Sequence, residues 1–360
     1  MRKCVEIIIS SLVALFLLVA CSSVSSADFF DFEVRKIPDI HVQDTIAPNL
    51  VSEARYEDLI SFRIYDSLVI FQRGRVPEDY FFFAGKIADG QVVGQMCRRG
   101  RGPGEMISST ANFEMLDGRL FAYDYYRGEY NEIDVSASLS QGKTSIIRSV
   151  KLEEIPGKSM LCVHPLKQDE LLLFDSASTL GTMELTHTPC FSVFDLLTGK
   201  HIRDINLFKN IPQKESGKLR ILPQQILAFH DCIDAQRETL CFVQNSIPQV
   251  NFLNINKGEA FGIRLMIDDV EVFSPERMIY HFMSVDCSAE KVYALYFGKP
   301  AEIAYSTAPV LYVFDWEGNI LGKHQLDQPY VQCRVAGDRL FLNKSDDWSS
   351  TLYSIELGSL

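Results

Sequence analysis

The chain is short of the features that usually give a chemistry away. It carries 35 Lys and Arg against 47 Asp and Glu, a formal charge of −12. That deficit of cations argues against nucleic acid as a partner, because affinity there rests on Lys and Arg neutralising phosphates. No H-E-x-x-H, H-x-H or G-x-S-x-G occurs, so no local zinc-protease or serine-hydrolase signature is present. The nine cysteines form no C-x-x-C, so neither a zinc site nor a redox pair is signalled. No long helical periodicity appears, which removes helical bundles from consideration. Tryptophan is scarce, with 2 residues against 14 Tyr and 24 Phe. Sugar-binding faces favour exposed Trp and Tyr, so only the DYYRGEY run at 124–130 and Trp348 offer stacking surfaces of that kind. The DWEGN stretch lacks the alternating oxygen ligands of a calcium loop.

What is present begins with the N-terminus. Arg2 and Lys3 precede an apolar run from Ile7 to Ala20 that is broken only by Ser10 and Ser11. The run is short for a membrane span and has the form of a secretory signal. It ends Leu18-Val19-Ala20-Cys21, which resembles the bacterial lipobox. That resemblance implies lipid attachment at Cys21 and anchoring in the cell envelope. Ser22 suits outer-membrane sorting, while Glu6 in the n-region departs from the pattern. The alternative is a plain signal peptide cut near Ser25–Ala27. Without residues 1–20 the balance is 33 basic against 46 acidic residues. Seven cysteines then remain besides Cys21, an odd number, and most sit in apolar strand-like runs as small buried hydrophobes. A Cys232–Cys241 bridge is conceivable. The expected organisation is a lipoprotein signal peptide over 1–20, a tether over 21–34 and one domain over 35–360.

Within that domain, short runs of β-branched and aromatic residues alternate with turn signals, the texture of an all-β fold. One phrase recurs: an apolar strand, a polar turn containing Gly, then a second apolar strand. It reads FFFAGKIADGQVVGQM at 81–96, FSVFDLLTGKHIRDINL at 191–207, VNFLNINKGEAFGIRL at 250–265 and VLYVFDWEGNILGKHQL at 310–326. A looser copy spans 131–152, and STLYSIEL at 350–357 starts a sixth. A further apolar strand precedes most copies; these strands fall at 59–72, 118–126, 169–177, 238–246, 291–299 and 338–346. Units of about four strands, six times over, predict a six-bladed β-propeller of four-stranded antiparallel blades. The last unit is short, so an N-terminal segment around 33–45 is expected to complete it. The longer stretches 209–236 and 266–284 read as loops.

The loop CRRGRGPGEM at 97–106 falls between the first and second units. Two readings stand. Its glycines and Pro103 can turn the chain from one blade to the next, with Glu105 accepting from backbone N–H groups or pairing with an arginine. Alternatively, its N–H groups with Arg98, Arg99 and Arg101 can grip a phosphate or carboxylate. The spacing is not that of a P-loop.

From this loop onward, residues 99–135 resemble an NHL-type propeller repeat, through Gly100, Gly102, Pro103, Gly104, Asp117, Gly118, Leu120, Phe121, Asp124, Ile133 and Asp134. Met106 stands where that repeat often has an aromatic residue. A single such motif in a lipidated six-unit chain resembles the TolB-like propeller lipoproteins. The resemblance implies the propeller fold and leaves the activity open, since propellers host enzymes, scaffolds and receptors alike.

The seven histidines are scattered: His41, His164, His187, His201, His230, His281 and His324. The densest clusters are His230-Asp231 with Asp234, Tyr280-His281, and Asp268-Asp269. Surface charge and turn capping account for such clusters, and a ligand-binding mouth is the functional alternative. The expected function is therefore a cell-envelope lipoprotein that binds or scaffolds a protein, peptide or glycan. Arg98, Arg99, Arg101, His230, Asp231 and His281 are its candidate ligand contacts. No catalytic residue, metal or cofactor is assigned. The alternative is a metal-dependent hydrolase or lyase with its site in the central channel.

Overall fold

Each recurring phrase folds as an antiparallel hairpin, and both faces of that hairpin are covered. In the third unit Leu171, Leu172, Leu173 and Phe174 are all fully buried, although neighbouring side chains of a strand point to opposite faces. A sheet buried on both faces reads as a continuous apolar run, which is why these strands lack a clean alternation. The computed structural model describes residues 29–74, 79–110, 113–153, 160–175, 185, 187–209, 211, 227–267, 278–346 and 349–360. Cys21, Asp268-Asp269 and Trp348 lie outside the described residues, as do most of 209–228 and 266–277.

Six sheets form a β-propeller. Blade 1 runs from Leu59 to Arg98, blade 2 from Glu114 to Lys151, blade 3 from Met160 to Ile205, blade 4 from Phe229 to Met266, blade 5 from Ile279 to Leu326 and blade 6 from Tyr330 to Glu356. The apolar clusters sit between neighbouring blades. Phe174 and Phe191 of blade 3 pack with Phe229 and Phe242 of blade 4. Phe341 and Leu352 of blade 6 pack with Phe62, Phe71 and Phe83 of blade 1, closing the ring.

The N-terminal segment is a belt around the outside. Phe29 and Phe30, inside the stretch expected as a tether, are buried against blades 3 and 4. Glu33–Pro38 adds a parallel fifth strand to the outer edge of blade 4, and Asp44–Ile46 does the same for blade 5. Specific contacts fix this course. Arg35 stacks on Phe261 and donates to the Glu317 carbonyl at 2.9 Å, while Asp39 accepts from Tyr312 Oη at 2.7 Å. Blade 6 supplies three strands of its own. Its closing pairs come from Asn49–Leu50 and Tyr56–Glu57, both antiparallel to Ser349–Glu356. An N-terminal segment does complete the last blade, but it lies beyond the 33–45 expected. Those earlier residues are already committed to blades 4 and 5.

Two further departures have local causes. The loose copy at 131–152 contains a helix, Val135–Gln141, inside its hairpin. Asp134 caps it by accepting from Ala137 N at 2.8 Å, and Gly142 ends it in the left-handed region at φ 64°. Asp134→Ala is expected to destabilise the domain by about 1 kcal/mol; an unchanged urea midpoint would show that packing alone holds the helix. The stretches read as loops, 209–236 and 266–284, end in strands, Phe229–Ile233 and the start of Ile279–Cys287. Their polar residues (FHDCI, IYHFMSVDC) hid them, because these are innermost strands that carry charge at the axis.

Candidate functional site on the propeller axis

The first strand of every blade lies innermost, and these strands meet around the axis. Each carries one ionisable residue at the same register. Arg63, Glu114, His164, Asp231, Asp286 and Arg334 stand opposite Ile70, Phe121, Leu172, Phe242, Tyr293 and Phe341 of the second strands. Those six partners are all buried. The apolar residue anchors each hairpin between blades, and the ionisable residue across from it is delivered to the centre.

The delivered groups interlock. Glu114 Oε1 is 3.3 Å from Arg63 Nη2 and 3.3 Å from His164 Nδ1. Its other oxygen accepts from Arg237 at 3.4 Å, a residue reaching in from the first hairpin turn of blade 4. His164 Nε2 is 3.0 Å from Asp231 Oδ2, so the imidazole bridges carboxylates of blades 2 and 4. The Nδ1 contact with Glu114 is an ion pair off the line of a hydrogen bond. Arg237 also donates to the Pro165 carbonyl. Arg334 donates to the carbonyls of Cys333 at 2.7 Å and Phe62 at 3.2 Å. Asp286 accepts from Cys287 N and Val335 N, both at 2.9 Å.

The electrostatics follow from burial opposed by pairing. Burial alone would lower the His164 pKa, but the Asp231 and Glu114 carboxylates outweigh it and hold it at about 9. Burial works against the Glu114 carboxylate too, yet His164, Arg63 and Arg237 hold it well below the usual range. Burial, then repulsion from Arg63, brings Arg334 down to about 10. Burial raises Asp286 despite Arg63, Arg334 and the Val335 N–H. At neutral pH the imidazolium and the Glu114 carboxylate are thus both charged. A plug of paired and interlocked charge crosses the channel.

A metal hydrolase in this channel would need oxygen and imidazole ligands with free lone pairs. Glu114, His164 and Asp231 do converge, but His164 already pairs with both carboxylates, and Arg63 and Arg237 lie 3.3 Å and 3.4 Å from Glu114.

The sequence candidates fall at different places. His230 and Asp231 are adjacent on one strand and diverge. Asp231 joins the plug. His230 is held neutral, its pKa lowered to about 4 by burial and then by Arg334. His281 is fully buried, with Nδ1 3.3 Å from Tyr296 Oη. Burial, then Arg264, lowers its pKa to about 3. Arg98, Arg99 and Arg101 lie at the junction of blades 1 and 2. Arg99 stacks on Phe81 at 4.4 Å, and Arg98 is 4.0 Å from Glu105. Glu105 folds back over its own loop and accepts from Gly102 N at 2.7 Å, so the loop's anion is its own carboxylate. A Cβ on Gly100 would meet that carboxylate in its present position, so a side chain there would displace Glu105 from the loop. Asp124 of the repeat motif ties the loop to blade 2 by accepting from Ile107 N and Ser108 Oγ, both at 2.7 Å.

Arg63, Glu114, Arg237, Asp286 and Arg334 were not among the sequence candidates. A signal exists in the spacing. In blades 1, 2, 5 and 6 a charged residue stands seven positions before a buried second-strand residue: Arg63 to Ile70, Glu114 to Phe121, Asp286 to Tyr293, Arg334 to Phe341. Reading it requires knowing which strand is innermost.

No protein-family model matches the chain, and no curated protein matches it. Solved structures do resemble it. A member of the DUF4221 family from Bacteroides vulgatus aligns with a TM-score of 0.52 at 11% identity, covering 86% of this chain and 96% of that one. Regucalcin from Agrobacterium tumefaciens, a calcium-binding protein, aligns with a TM-score of 0.48 at 11% identity, over 88% and 96% of the two chains. BamB from Moraxella catarrhalis aligns with a TM-score of 0.38 at 12% identity, over 82% and 71%. At these identities the likeness is one of fold: the chain is a β-propeller.

Proposed function

We propose that this chain is a cell-envelope lipoprotein of the TolB-like or NHL-like kind whose propeller binds or scaffolds a partner, most simply a protein or peptide. The observation that carries this reading is the contrast between an interlocked axis and open outer edges. Blades 4, 5 and 6 have their outer edges covered by the belt. Among the described residues, His201–Ile205 of blade 3 pairs on one side alone, and so do the outer strands of blades 1 and 2, Val92–Arg98 (where Cys97 N donates to Thr144 Oγ1 at 2.8 Å) and Ser145–Lys151. The strands of blades 1 and 2 both expose adjacent β-branched residues, Val92-Val93 and Ile146-Ile147. A cleft of about 300 Å³ lies beside the first, lined by Tyr80, Val92, Val93, Gly94, Gln95 and Leu139. An unprotected edge with apolar side chains is a template for an added strand. The belt already uses the equivalent edges of blades 4 and 5 in that way.

Pull-down of the lipidated protein from its native membrane tests this. The double variant Val93→Lys/Ile147→Lys is expected to lose at least about tenfold of the recovered partner, since Lys on an edge strand opposes pairing. Equal recovery would overturn the edge as the docking site. The anchor is tested separately: labelled palmitate should enter the wild type and not Cys21→Ala.

A further inference from the structure

One cluster shares Asp286 with the plug and adds two thiols that the plug does not use. Cys232 is the penultimate residue of the innermost strand of blade 4, and Asp286-Cys287 closes that of blade 5. One ligand atom from each lies within 4.8 Å of the others. Cys241 is the direct cross-strand partner of Cys232. Ligands about 2.3 Å from a tetrahedral zinc ion stand roughly 3.8 Å apart, so atoms within 4.8 Å of one another need to close by no more than about 1 Å to reach that spacing.

We infer that Cys232, Cys287 and Asp286 form a site for a thiophilic divalent cation of the zinc class, with Cys241 adjacent as a further thiol. The donor set is soft, which selects such an ion over calcium or magnesium. Asp286 is held in position by the backbone N–H groups of Cys287 and Val335, the orienting contacts a ligating carboxylate needs. Charge supports the assignment as well. Two thiolates and one carboxylate around a divalent ion leave one net negative charge, and Arg334, which donates to the Val285 carbonyl beside Asp286 at 3.4 Å, is placed to balance it. The Cys287 thiol donates to the Ile233 carbonyl of blade 4 at 3.1 Å, which holds it at the seam between the two strands. Binding replaces the two S–H bonds of Cys232 and Cys287 with two S–metal bonds and releases two protons to solvent; no electrons move. The ion would pin the innermost strands of blades 4 and 5 together.

Cobalt titration of the reduced, folded full chain reads this directly. One equivalent should produce thiolate-to-cobalt charge transfer in the near ultraviolet and tetrahedral d–d bands, both displaced by zinc. Cys287→Ser and Cys232→Ala should each weaken binding at least about a hundredfold, and Cys190→Ser in blade 3 should leave it unchanged. Alkylation of the wild type gives a readout that needs no variant: zinc should protect the peptides bearing Cys232 and Cys287 and not the one bearing Cys190. Absence of the charge-transfer band at millimolar cobalt would overturn the site. So would unchanged affinity in Cys287→Ser, or alkylation that zinc does not slow.

Discussion

Glu114→Gln is expected to destabilise the propeller by about 3–5 kcal/mol, read as a fall in urea midpoint at constant slope. The size follows from what surrounds the carboxylate. Arg63, His164 and Arg237 all face it, and its side chain is only 12% exposed. Glutamine keeps the shape and a carbonyl acceptor but removes the charge, leaving three buried cations with two fewer carboxylate oxygens. Breaking a buried pair by removing one partner costs far more than the pair contributes when intact, because the abandoned charge stays desolvated. Glu105→Gln, on the blade 1–2 loop, serves as the contrast: its carboxylate is more exposed and its longest-range partner, Arg98, is largely in solvent, so the change should cost less than about 1 kcal/mol. A loss below about 1 kcal/mol at Glu114 would mean that water reaches the axis.

Stability is expected to peak near pH 6.5 and fall on both sides. His164 has its folded pKa raised to about 9. The folded state therefore holds a proton that the unfolded chain releases near pH 6.5, and the stabilisation is complete below that value. It is lost as pH rises through about 9, a change worth about 3 kcal/mol. His230 and His281 act in the opposite sense, with folded pKa values lowered to about 4 and about 3. Their contribution is present above pH 6.5 and is lost as pH falls, because the unfolded chain takes up protons that the buried rings refuse. Denaturant midpoints between pH 5 and pH 9 check both limbs. His164→Gln should flatten the alkaline limb and leave the acidic limb in place. An alkaline limb that survives in His164→Gln would assign it to another group.

Both predictions rest on residues that the sequence shows without explaining. The hairpin phrases were readable because a blade's third and fourth strands are joined by tight turns, and Gly with Asp or Asn is the residue choice such turns impose. The strand before each phrase was readable because both its faces are buried. The Gly-rich loop was readable as a blade junction, and its Glu105 does accept from the loop's own N–H. The innermost strands of blades 4 and 5 were not readable. FHDCI and IYHFMSVDC carry charge where a strand pattern demands alternation, since their surroundings are the other blades' charged groups. The closing strands were misplaced by several residues, because Asn49–Leu50 and Tyr56–Glu57 are too short to stand out against Glu33–Pro38.

The sequence by itself determined the repeat number, the strand class and the turn positions. All of these depend on contacts between residues close in the chain. Only the tertiary structure decided which strand faces the axis, and that Glu114, His164, Asp231 and Arg237 neutralise one another there. The same holds for the meeting of Cys232 with Asp286-Cys287. Such partners lie tens to more than a hundred positions apart, and a residue's charge carries no mark of the group that will compensate it. That pairing exists once six hairpins have closed into a ring and brought one side chain from each to the centre.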